Sequence, residues 1–556
     1  MNRLLRTISN SKDVFFYIFA FGLVAHGFVF FNEVYSFDSL IFDHNYAIGL
    51  GRWGQSIVFF LRGQVFPPTL IGFLALFFLA SATAIFLDLF NITCKITRII
   101  ICGTLVTSYT FTAIASTFMF YLDVNMLSIM FVMFSCHYIK KCSSFRNKLI
   151  LGSTFLMLSL SLYQVYLQLY TLICALFIFF DLLNDKPYKK LMNDAFIYFL
   201  VMFAGLLLYK LSLPISLKIS SIHELSTSYN TVTKVGMFDS LWQIFVLFVL
   251  TVPYELRHLL FGVTYLPAYL VSLLVLICIL IGAILIYKKT KNSLSRMLFS
   301  ELMFLFAIPF FSNVVYIISK GLMHDLMRFS YTFVSLVPIL VISNLKENFN
   351  LFEKNKISEI SSVIISIVMS ILIFSNIIFS NQIYLKKELE SKSSLSFATR
   401  IASRIEELPN FKFNSTKVCF VGKPSQNKYM NVTRIPIPIN NSRMSYDFNL
   451  AFEYYPSEYF RNILGIKYVI CDISSEVLNV EKAHMPIFPL KGSIIQEQDR
   501  VYVKLGNSTL NDRIASIEKD EICVSEKCSI SFNMCINALK YKIQNLNKAS
   551  RSKYSM

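Results

Sequence analysis

Long apolar runs separated by short polar stretches make up most of the first 380 residues of the chain. Most of these runs have the 17–23 residues that an α-helix needs to cross the hydrocarbon core of a bilayer. Continuous runs of this kind predict helices rather than barrel strands, which would alternate in polarity. We predict about eleven membrane spans, at residues 14–31, 69–90, 99–118, 126–139, 149–162, 165–183, 195–213, 265–287, 297–317, 329–345 and 360–380.

Basic residues between the predicted spans are distributed unequally. With the N-terminus inside, the inner loops carry nineteen Lys and Arg, whereas the outer loops, although longer, carry seven. Cytoplasmic loops of membrane proteins are enriched in these residues, so the count predicts a cytoplasmic N-terminus. No small-residue cleavage pattern follows residues 14–31, and we expect this run to stay as the first span.

Two outer segments, residues 32–68 and 214–264, are too long to be simple turns. Apolar residues recur in both at helical spacing among polar ones, which predicts helices lying along the membrane interface. Residues 241–250 could instead form a twelfth crossing. No basic cluster marks the inner turn that such a crossing needs, so we place this run outside.

The composition changes after residue 380, where charges become frequent and the apolar runs shrink. Residues 417–422 and 467–472 are typical of short buried strands, residues 396–407 of a helix and residues 499–504 of an exposed strand. The fold class predicted is therefore a polytopic α-helical membrane domain over residues 1–380, followed by a soluble α/β domain over residues 381–556. With eleven spans and the N-terminus inside, the tail is predicted to lie on the outer side of the membrane.

The chain is 55% hydrophobic, 15% charged and has a mean hydropathy of +0.56, values that fit a bilayer environment. The formal charge of +18 follows mainly from the basic inner loops and includes no basic block in the tail, which argues against nucleic acid as a partner. Five of the eleven cysteines lie in the tail, where one or two disulfides could form in an oxidising compartment. No cysteine spacing indicates zinc, and scattered carboxylates leave a divalent metal open.

Ionisable residues are almost absent from the middle of the spans, which weakens an interpretation as a proton-coupled transporter. Acidic residues instead lie directly outside the first span, at Glu33, Asp38 and Asp43. All three are candidate catalytic carboxylates, and we favour Asp38 because Phe37 and Leu40 would hold it at the interface. A carboxylate at the membrane surface can serve as the general base for a sugar hydroxyl.

A glycine-rich element, Gly49-Leu50-Gly51-Arg52-Trp53-Gly54, follows these acids. Glycines permit close backbone approach, and arginine offers a planar fork that suits phosphate oxygens. Arg52 and Trp53 are therefore candidate substrate-binding residues. An interfacial anchor built from arginine and tryptophan is the alternative interpretation.

Four motifs follow one another along most of the chain. Phe37-Asp38 with Gly51-Arg52-Trp53 is the first, and Leu160-Ser161-Leu162-Tyr163-Gln164, at the outer tip of two spans, is the second. His324, Asp325 and Arg328 before a late span form the third, and residues 398–409 leading into residues 418–422 form the fourth. In this order they resemble the bacterial Gtr-type O-antigen glucosyltransferases of the polytopic GT-C class. This chain departs from the family in having Phe37-Asp38-Ser39 where members often show two adjacent acids.

The resemblance implies transfer of a hexose, commonly glucose, from an undecaprenyl-phosphate-linked donor to O-antigen or lipopolysaccharide on the periplasmic face of the bacterial inner membrane. It implies Asp38 as the base, with Glu33 and Asp43 as alternatives. Arg52 or Arg328 would neutralise the departing lipid phosphate, and Trp53, Tyr163, Gln164 and His324 would line the substrate site. The alternatives are a transporter or flippase of lipid-linked glycans, an O-antigen polymerase, and a lipid A aminoarabinose transferase.

Overall fold

The computed structural model describes residues 2–33, 37–40, 44–222, 225, 240–260, 265–348, 356–424, 427, 429, 456–471 and 484–506. The chain divides into two compact units. The first comprises residues 1–237, 244–397 and 432–463, and the second residues 238–243, 398–431 and 464–556. The predicted boundary at residues 380 and 381 stays a prediction.

Helices dominate the described residues of the first unit, and both outer segments contain helices, whose position along the interface stays a prediction. In its first half the helices are Asn2–Ser9, Lys12–Phe31, Phe37–Leu40, His44–Gly49, Trp53–Leu61, Pro68–Leu89, Lys95–Val106, Tyr109–Thr117, Leu122–Lys141, Phe145–Leu162, Leu167–Leu183 and Tyr188–Ile219. The later helices are Leu241–Leu260, Ala268–Thr290, Leu294–Leu302, Ile308–Ser312, Val314–Ile318, Phe329–Ser335, Val337–Asn348, Lys356–Glu406 and Pro456–Ile463. Residues 241–243 and 398–406 of these helices belong to the second unit. The described helical structure also includes three short 3₁₀ turns, at Met119–Tyr121, Gln164–Tyr166 and Asp325–Met327. One π-helical turn lies at Met303–Ala307.

Ten helices among the described residues are long and apolar enough to cross a membrane. They include nine of the eleven predicted spans. The predicted span 149–162 is the 18-residue helix Phe145–Leu162, and the predicted span 329–345 is divided at Leu336 into two shorter helices. The chain is therefore a polytopic helical membrane protein.

Leu241–Leu260 is the tenth of these helices, although the sequence analysis placed its first half outside the bilayer. Two of its three buried residues, Thr251 and Glu255, are polar and fully buried, and the third is Leu247, whereas Trp242 and Phe248 are more than half exposed. Helices in lipid turn polar side chains toward the protein and apolar ones outward. A helix that lies along the interface with one face toward lipid shows the same distribution, so the placement of residues 241–250 outside stays a prediction.

Close packing of the first two spans depends on glycine. A Cβ atom at Gly72 would lie 2.5 Å from the Phe30 ring, and one at Gly22 would lie 2.5 Å from Leu76. Small residues at such positions let helix backbones approach each other closely, which is the main source of attraction between helices in lipid. The outer segment after Phe30 therefore starts from a tightly packed pair of helices.

Several ion pairs lie at the span ends that we predict to be cytoplasmic. Asp181 accepts from Lys140 at 2.8 Å and from Lys186 at 2.7 Å, and Asp13 pairs with Arg98 at 2.8 Å. These carboxylates are thus neutralised by the basic residues on which the predicted orientation depends. Their contacts hold span ends together at that face.

The second unit contains a four-stranded sheet in the order Val469–Ile470, Lys417–Val421, Arg500–Lys504, Ile494–Glu497. The first three strands are parallel and the last is antiparallel to its neighbour. The predicted strands at residues 417–422 and 467–472 are found as Lys417–Val421 and Val469–Ile470, and a disulfide between Cys419 and Cys471 joins the two segments. The prediction that the second strand is buried is wrong, because Val469 is exposed and Ile470 is half-buried. The prediction that residues 499–504 are exposed is wrong, because this strand lies inside the sheet and Val501 and Val503 are fully buried.

Candidate functional site

The chain turns at residues 163–168, which we call the central segment. Helix Phe145–Leu162 ends before Tyr163, which is extended, and helix Leu167–Leu183 begins after the 3₁₀ turn Gln164–Tyr166. Because the backbone changes direction here, consecutive side chains leave it toward different neighbours. Tyr163, Gln164, Tyr166 and Gln168 each bond or stack with a different part of the first unit.

Arg52 lies against the start of the central segment, in what we call the first arginine cluster (Arg52, Trp53, Tyr163, Gln164, Tyr209). Its guanidinium carbon is 4.6 Å from the centre of the Tyr163 ring, within the range of a cation–π contact. Its Nε donates to Oε1 of Gln164 at 3.3 Å. The structure thus brings together two motifs that are more than one hundred residues apart in sequence.

Tyr209 completes this cluster, and the sequence analysis missed it. Nε2 of Gln164 donates to the Tyr209 hydroxyl at 2.8 Å, and that hydroxyl donates to the carbonyl of Gly51 at 2.9 Å. Trp53 Nε1 donates to the Ser212 hydroxyl at 2.9 Å. The outer end of helix Tyr188–Ile219 therefore fixes the backbone and the tryptophan on either side of Arg52.

The glycines around Arg52 have a steric role. Gly51 has a φ of +77°, a conformation that favours glycine. A Cβ at Gly54 would lie 2.5 Å from Oγ and 3.1 Å from the backbone carbonyl carbon of Ser161. Only glycine lets helix Trp53–Leu61 start this close to the chain leading into the central segment.

A second arginine cluster (Tyr109, Tyr254, Asp325, Arg328) adjoins the other end of the central segment. Arg328 Nη1 pairs with Asp325 Oδ1 at 2.6 Å, and its Nη2 donates to the Tyr254 hydroxyl at 2.9 Å and to the Met323 carbonyl at 3.1 Å. The Tyr109 hydroxyl donates to the other oxygen of Asp325 at 3.0 Å. Of the two predicted residues of this motif, Arg328 lies in the cluster, and half-buried His324 directly precedes Asp325 in the chain.

Gln168 connects the second cluster to the central segment. Its Nε2 donates to the carbonyl of Met327, the residue before Arg328. Gln164 and Gln168 are four residues apart, about one helical turn, and each holds the chain beside one arginine. Both clusters therefore adjoin the same turn of the protein.

A third charged contact joins the first outer segment to the helix after Tyr121. Arg62 Nη1 pairs with Asp123 Oδ1 at 3.2 Å, and both side chains are almost fully buried, at 5% and 0% exposure. Burial lowers the pKa of the Arg62 guanidinium, and the Asp123 carboxylate opposes that shift. Asn125, two residues later, accepts from the Tyr166 hydroxyl at 3.0 Å, so this contact too connects to the central segment.

The predicted catalytic carboxylates lie at the start of the same outer segment. Glu33 is exposed just after the first span. Asp38 is on helix Phe37–Leu40, whose Leu40 carbonyl accepts from Asn462 at 3.0 Å, but its side chain lies outside the described residues, as does all of Asp43. The role of each acid stays a prediction.

Metal ligands do not group together in the part of the chain that the structure describes, since it contains no set of three His, Cys, Asp or Glu suited to an ion. The side chains of Asp38 and Asp43 are outside that part. A requirement for a divalent ion is therefore still to be measured.

Comparison with protein families decides the class to which this site belongs. A family model described as "Glucosyl transferase GtrII" matches residues 27–342, more than half of the chain. The chain belongs to the GtrII glucosyl transferase family. No curated protein and no solved structure matches it. The GtrII match contains all the predicted site residues and both arginine clusters, and it ends before the sheet of the second unit.

Sequence signals for the missed residues of this GtrII protein are weak. Tyr209 follows a run of leucines near the outer end of a span, where a tyrosine is usually an interfacial anchor. Tyr109 and Tyr254 also look like such anchors, and Asp123 begins an apolar run. Their partners are distant in sequence, so a single chain without the fold does not indicate them.

Proposed function

We propose that this GtrII protein transfers a hexose, glucose as the first candidate, from undecaprenyl phosphate to O-antigen or lipopolysaccharide on the periplasmic face of the inner membrane. Membership of the family supports the glucosyl transfer. The donor, acceptor and membrane face are the parts that we add. A polyprenyl chain can stay among the spans while its phosphosugar reaches the outer segment.

The observation that carries this proposal is the meeting of Arg52, Tyr163 and Gln164 beside the segment that follows Asp38. An arginine held by neutral groups keeps its charge for an anion, and its fork matches phosphate oxygens. Aromatic and amide side chains next to it are suited to a sugar ring and its hydroxyls. Such a set fits a sugar phosphate better than a free sugar.

In the reaction that we propose, Asp38 takes the proton of an acceptor hydroxyl while that oxygen attacks the anomeric carbon of the donor sugar. The bond from this carbon to the phosphate oxygen breaks, its electron pair stays with the phosphate, and the anomeric configuration inverts. The departing polyprenyl phosphate gains one negative charge. Arg52 stabilises that charge where it develops, and the second cluster holds the neighbouring outer loop in place.

Two features support the periplasmic location. The predicted outer loops carry seven basic residues against nineteen inside, and this count puts Arg52, Gln164 and Arg328 on one face. The disulfide between Cys419 and Cys471 fits an oxidising compartment for the tail.

Purified full-length protein in lipid nanodiscs, supplied with radiolabelled undecaprenyl-phosphate-glucose and lipopolysaccharide, tests the proposal. Asp38→Asn should lower transfer by roughly 10²–10⁴-fold, the usual contribution of a general base. Asp185→Asn, on the predicted inner face, is the matched control. Full activity of Asp38→Asn would remove Asp38 as the base, and Glu33→Gln and Asp43→Asn then test the other two acids.

The same protein in sealed proteoliposomes, which keep the two bilayer faces separate, distinguishes the rival functions. Movement of labelled donor across the bilayer without a new glycosidic bond would indicate a flippase and contradict the proposal. Transfer of the sugar to lipid A alone, or growth of a glycan chain, would indicate another enzyme of the GT-C class. Parallel assays with EDTA and with added Mg²⁺ or Mn²⁺ measure the metal requirement.

A further inference from the structure

Helix Trp53–Leu61 has an arginine at each end, and the two arginines have different surroundings. Arg52, the residue before the helix, reaches the central segment. Arg62, the residue after it, is buried against Asp123 and donates from Nη2 to the Phe120 carbonyl at 3.0 Å. The helix is thus attached at both ends to elements that come from other parts of the first unit.

Aromatic rings surround the guanidinium of Arg62. Its central carbon is 6.0 Å from the centre of the Phe59 ring and 5.8 Å from that of Phe66. These rings stack on each other at 4.9 Å, and Phe66 contacts Phe120 at 5.6 Å. The rings keep water away from the ion pair, so the attraction between the charges is screened less than at a surface.

Asp123 is constrained as firmly as Arg62. Its Oδ1 accepts from Arg62 and from the backbone N–H of Val124 at 2.9 Å, and its side chain is fully buried. A buried charge of this kind is tolerated only with its partner in place. The position of Arg62, and with it the end of the helix, is therefore tied to the start of helix Leu122–Lys141.

We infer that the Arg62–Asp123 ion pair positions the helix Trp53–Leu61 so that Arg52 is held at the central segment for the sugar phosphate. Arg62 and Asp123 are positioning residues, which act through Arg52 and contact no substrate. The proposal rests on the proposed function only for the role of Arg52. The placement of the helix can be measured without any activity.

The chain has two tryptophans, Trp53 and Trp242, so Trp242→Phe leaves Trp53 as the one fluorescent reporter. Trp53 is the first residue of the helix and bonds to Ser212, and it therefore senses whether that end stays in place. In this background we would replace the pair by apolar residues, Arg62→Met with Asp123→Leu. Removing both charges together leaves no unpaired buried charge, so the variant can still fold.

The matched control is the Arg98–Asp13 pair, replaced as Arg98→Met with Asp13→Leu. This pair also joins two parts of the first unit, at 2.8 Å, but on the face we predict to be cytoplasmic. In full-length protein in nanodiscs, loss of the Arg62–Asp123 pair should move Trp53 emission to longer wavelength and increase its quenching by acrylamide. Transfer should fall by up to about 100-fold, as expected for a misplaced substrate-binding group. The control should change neither quantity.

Unchanged emission and quenching of Trp53 after loss of the Arg62–Asp123 pair would overturn the inference. An equal change in the control would also overturn it, because the effect would then be general loosening. A change in Trp53 with undiminished transfer would support the positioning of the helix and overturn the role of Arg52 in the proposed function. The two proposals therefore fail in different ways.

Discussion

The two arginine clusters differ in how the charge of the guanidinium is balanced. Arg52 bonds to the neutral amide of Gln164 and lies over the Tyr163 ring, and its partners among the described residues carry no charge. Arg328 is paired with Asp325 at 2.6 Å and also donates to Tyr254. An arginine already paired with a carboxylate attracts a phosphate less strongly. The difference favours Arg52 as the phosphate ligand and Arg328 as a residue that holds the outer loops together.

Replacement of Arg52 should have the largest effect on transfer. We expect Arg52→Ala to lower the transfer rate by roughly 10²–10³-fold, as loss of a group that stabilises developing negative charge does. Arg52→Lys keeps the positive charge but loses the planar guanidinium, so its transfer rate should lie between those of the wild type and Arg52→Ala. The control is exposed Arg146→Ala, and radiolabelled donor in nanodiscs gives the rates. If Arg52→Ala transferred sugar at the wild-type rate, Arg52 would not be the phosphate ligand, and Arg328 would become the better candidate.

Replacement of Arg328 should lower the stability of the protein more than replacement of Arg52. Arg328→Ala leaves the Asp325 carboxylate without its ion pair, at a cost of about 2 kcal/mol for hydrogen bonds to a charged group. We expect a lower melting temperature and a decrease in transfer of about tenfold. Arg328→Ala with Asp325→Ala should recover part of the melting temperature. A deep loss of transfer at an unchanged melting temperature would give Arg328 the role that we assign to Arg52.

The two glutamines of the central segment sharpen the same comparison. Gln164→Ala removes the neutral partner of Arg52 and should lower transfer by roughly fivefold, the equivalent of about 1 kcal/mol. Gln168→Ala releases the Met327 carbonyl and should lower the melting temperature with little change in transfer. Steady-state rates and thermal unfolding of both variants provide the check. If Gln164→Ala and Gln168→Ala lowered transfer equally, both arginine clusters would contribute to the reaction to the same extent.

Trp53 should give the smallest effect. Trp53→Phe keeps the ring but loses the hydrogen bond to Ser212, a net contribution of about 1 kcal/mol or less. Ser212→Ala removes the same bond from the other side. We therefore expect the double variant to unfold at nearly the same temperature as either single variant. Additive decreases would mean that the two side chains act independently.

Most of the membrane part could be predicted from the sequence, because the length of an apolar run is a local property and the bilayer sets it. Nine of eleven predicted spans correspond to helices able to cross. The placement of residues 241–250 outside stays a prediction, because length and hydropathy alone make helix Leu241–Leu260 a candidate span. The predicted span 329–345 divides at Leu336, and Pro338 is the breaker signal that marks this division, because proline at the start of a helix has no N–H to continue the preceding one.

The candidate site was predictable in its residues but not in its connections. Arg52, Trp53, Tyr163 and Gln164 stand out as motifs, whereas Tyr209 becomes significant only through contacts with Gln164 and Gly51. The buried state of residues 501–504 was missed for a similar reason. Alternation of apolar and polar residues shows that the two faces of a strand have different surroundings. Whether the strand lies at the edge or in the middle of a sheet depends on its pairing with distant residues.

Strand Lys417–Val421 has its two neighbours at Val469–Ile470 and Arg500–Lys504, so the sheet is incomplete until residue 504 has been synthesised. This order of assembly matters for reporter fusions that test which side of the membrane the tail occupies. A fusion that ends the protein before residue 500 lacks strand Arg500–Lys504, so its sheet cannot form as in the complete domain. A reporter joined after residue 506 leaves all four strands in the chain, so alkaline phosphatase or green fluorescent protein placed there can report the true side.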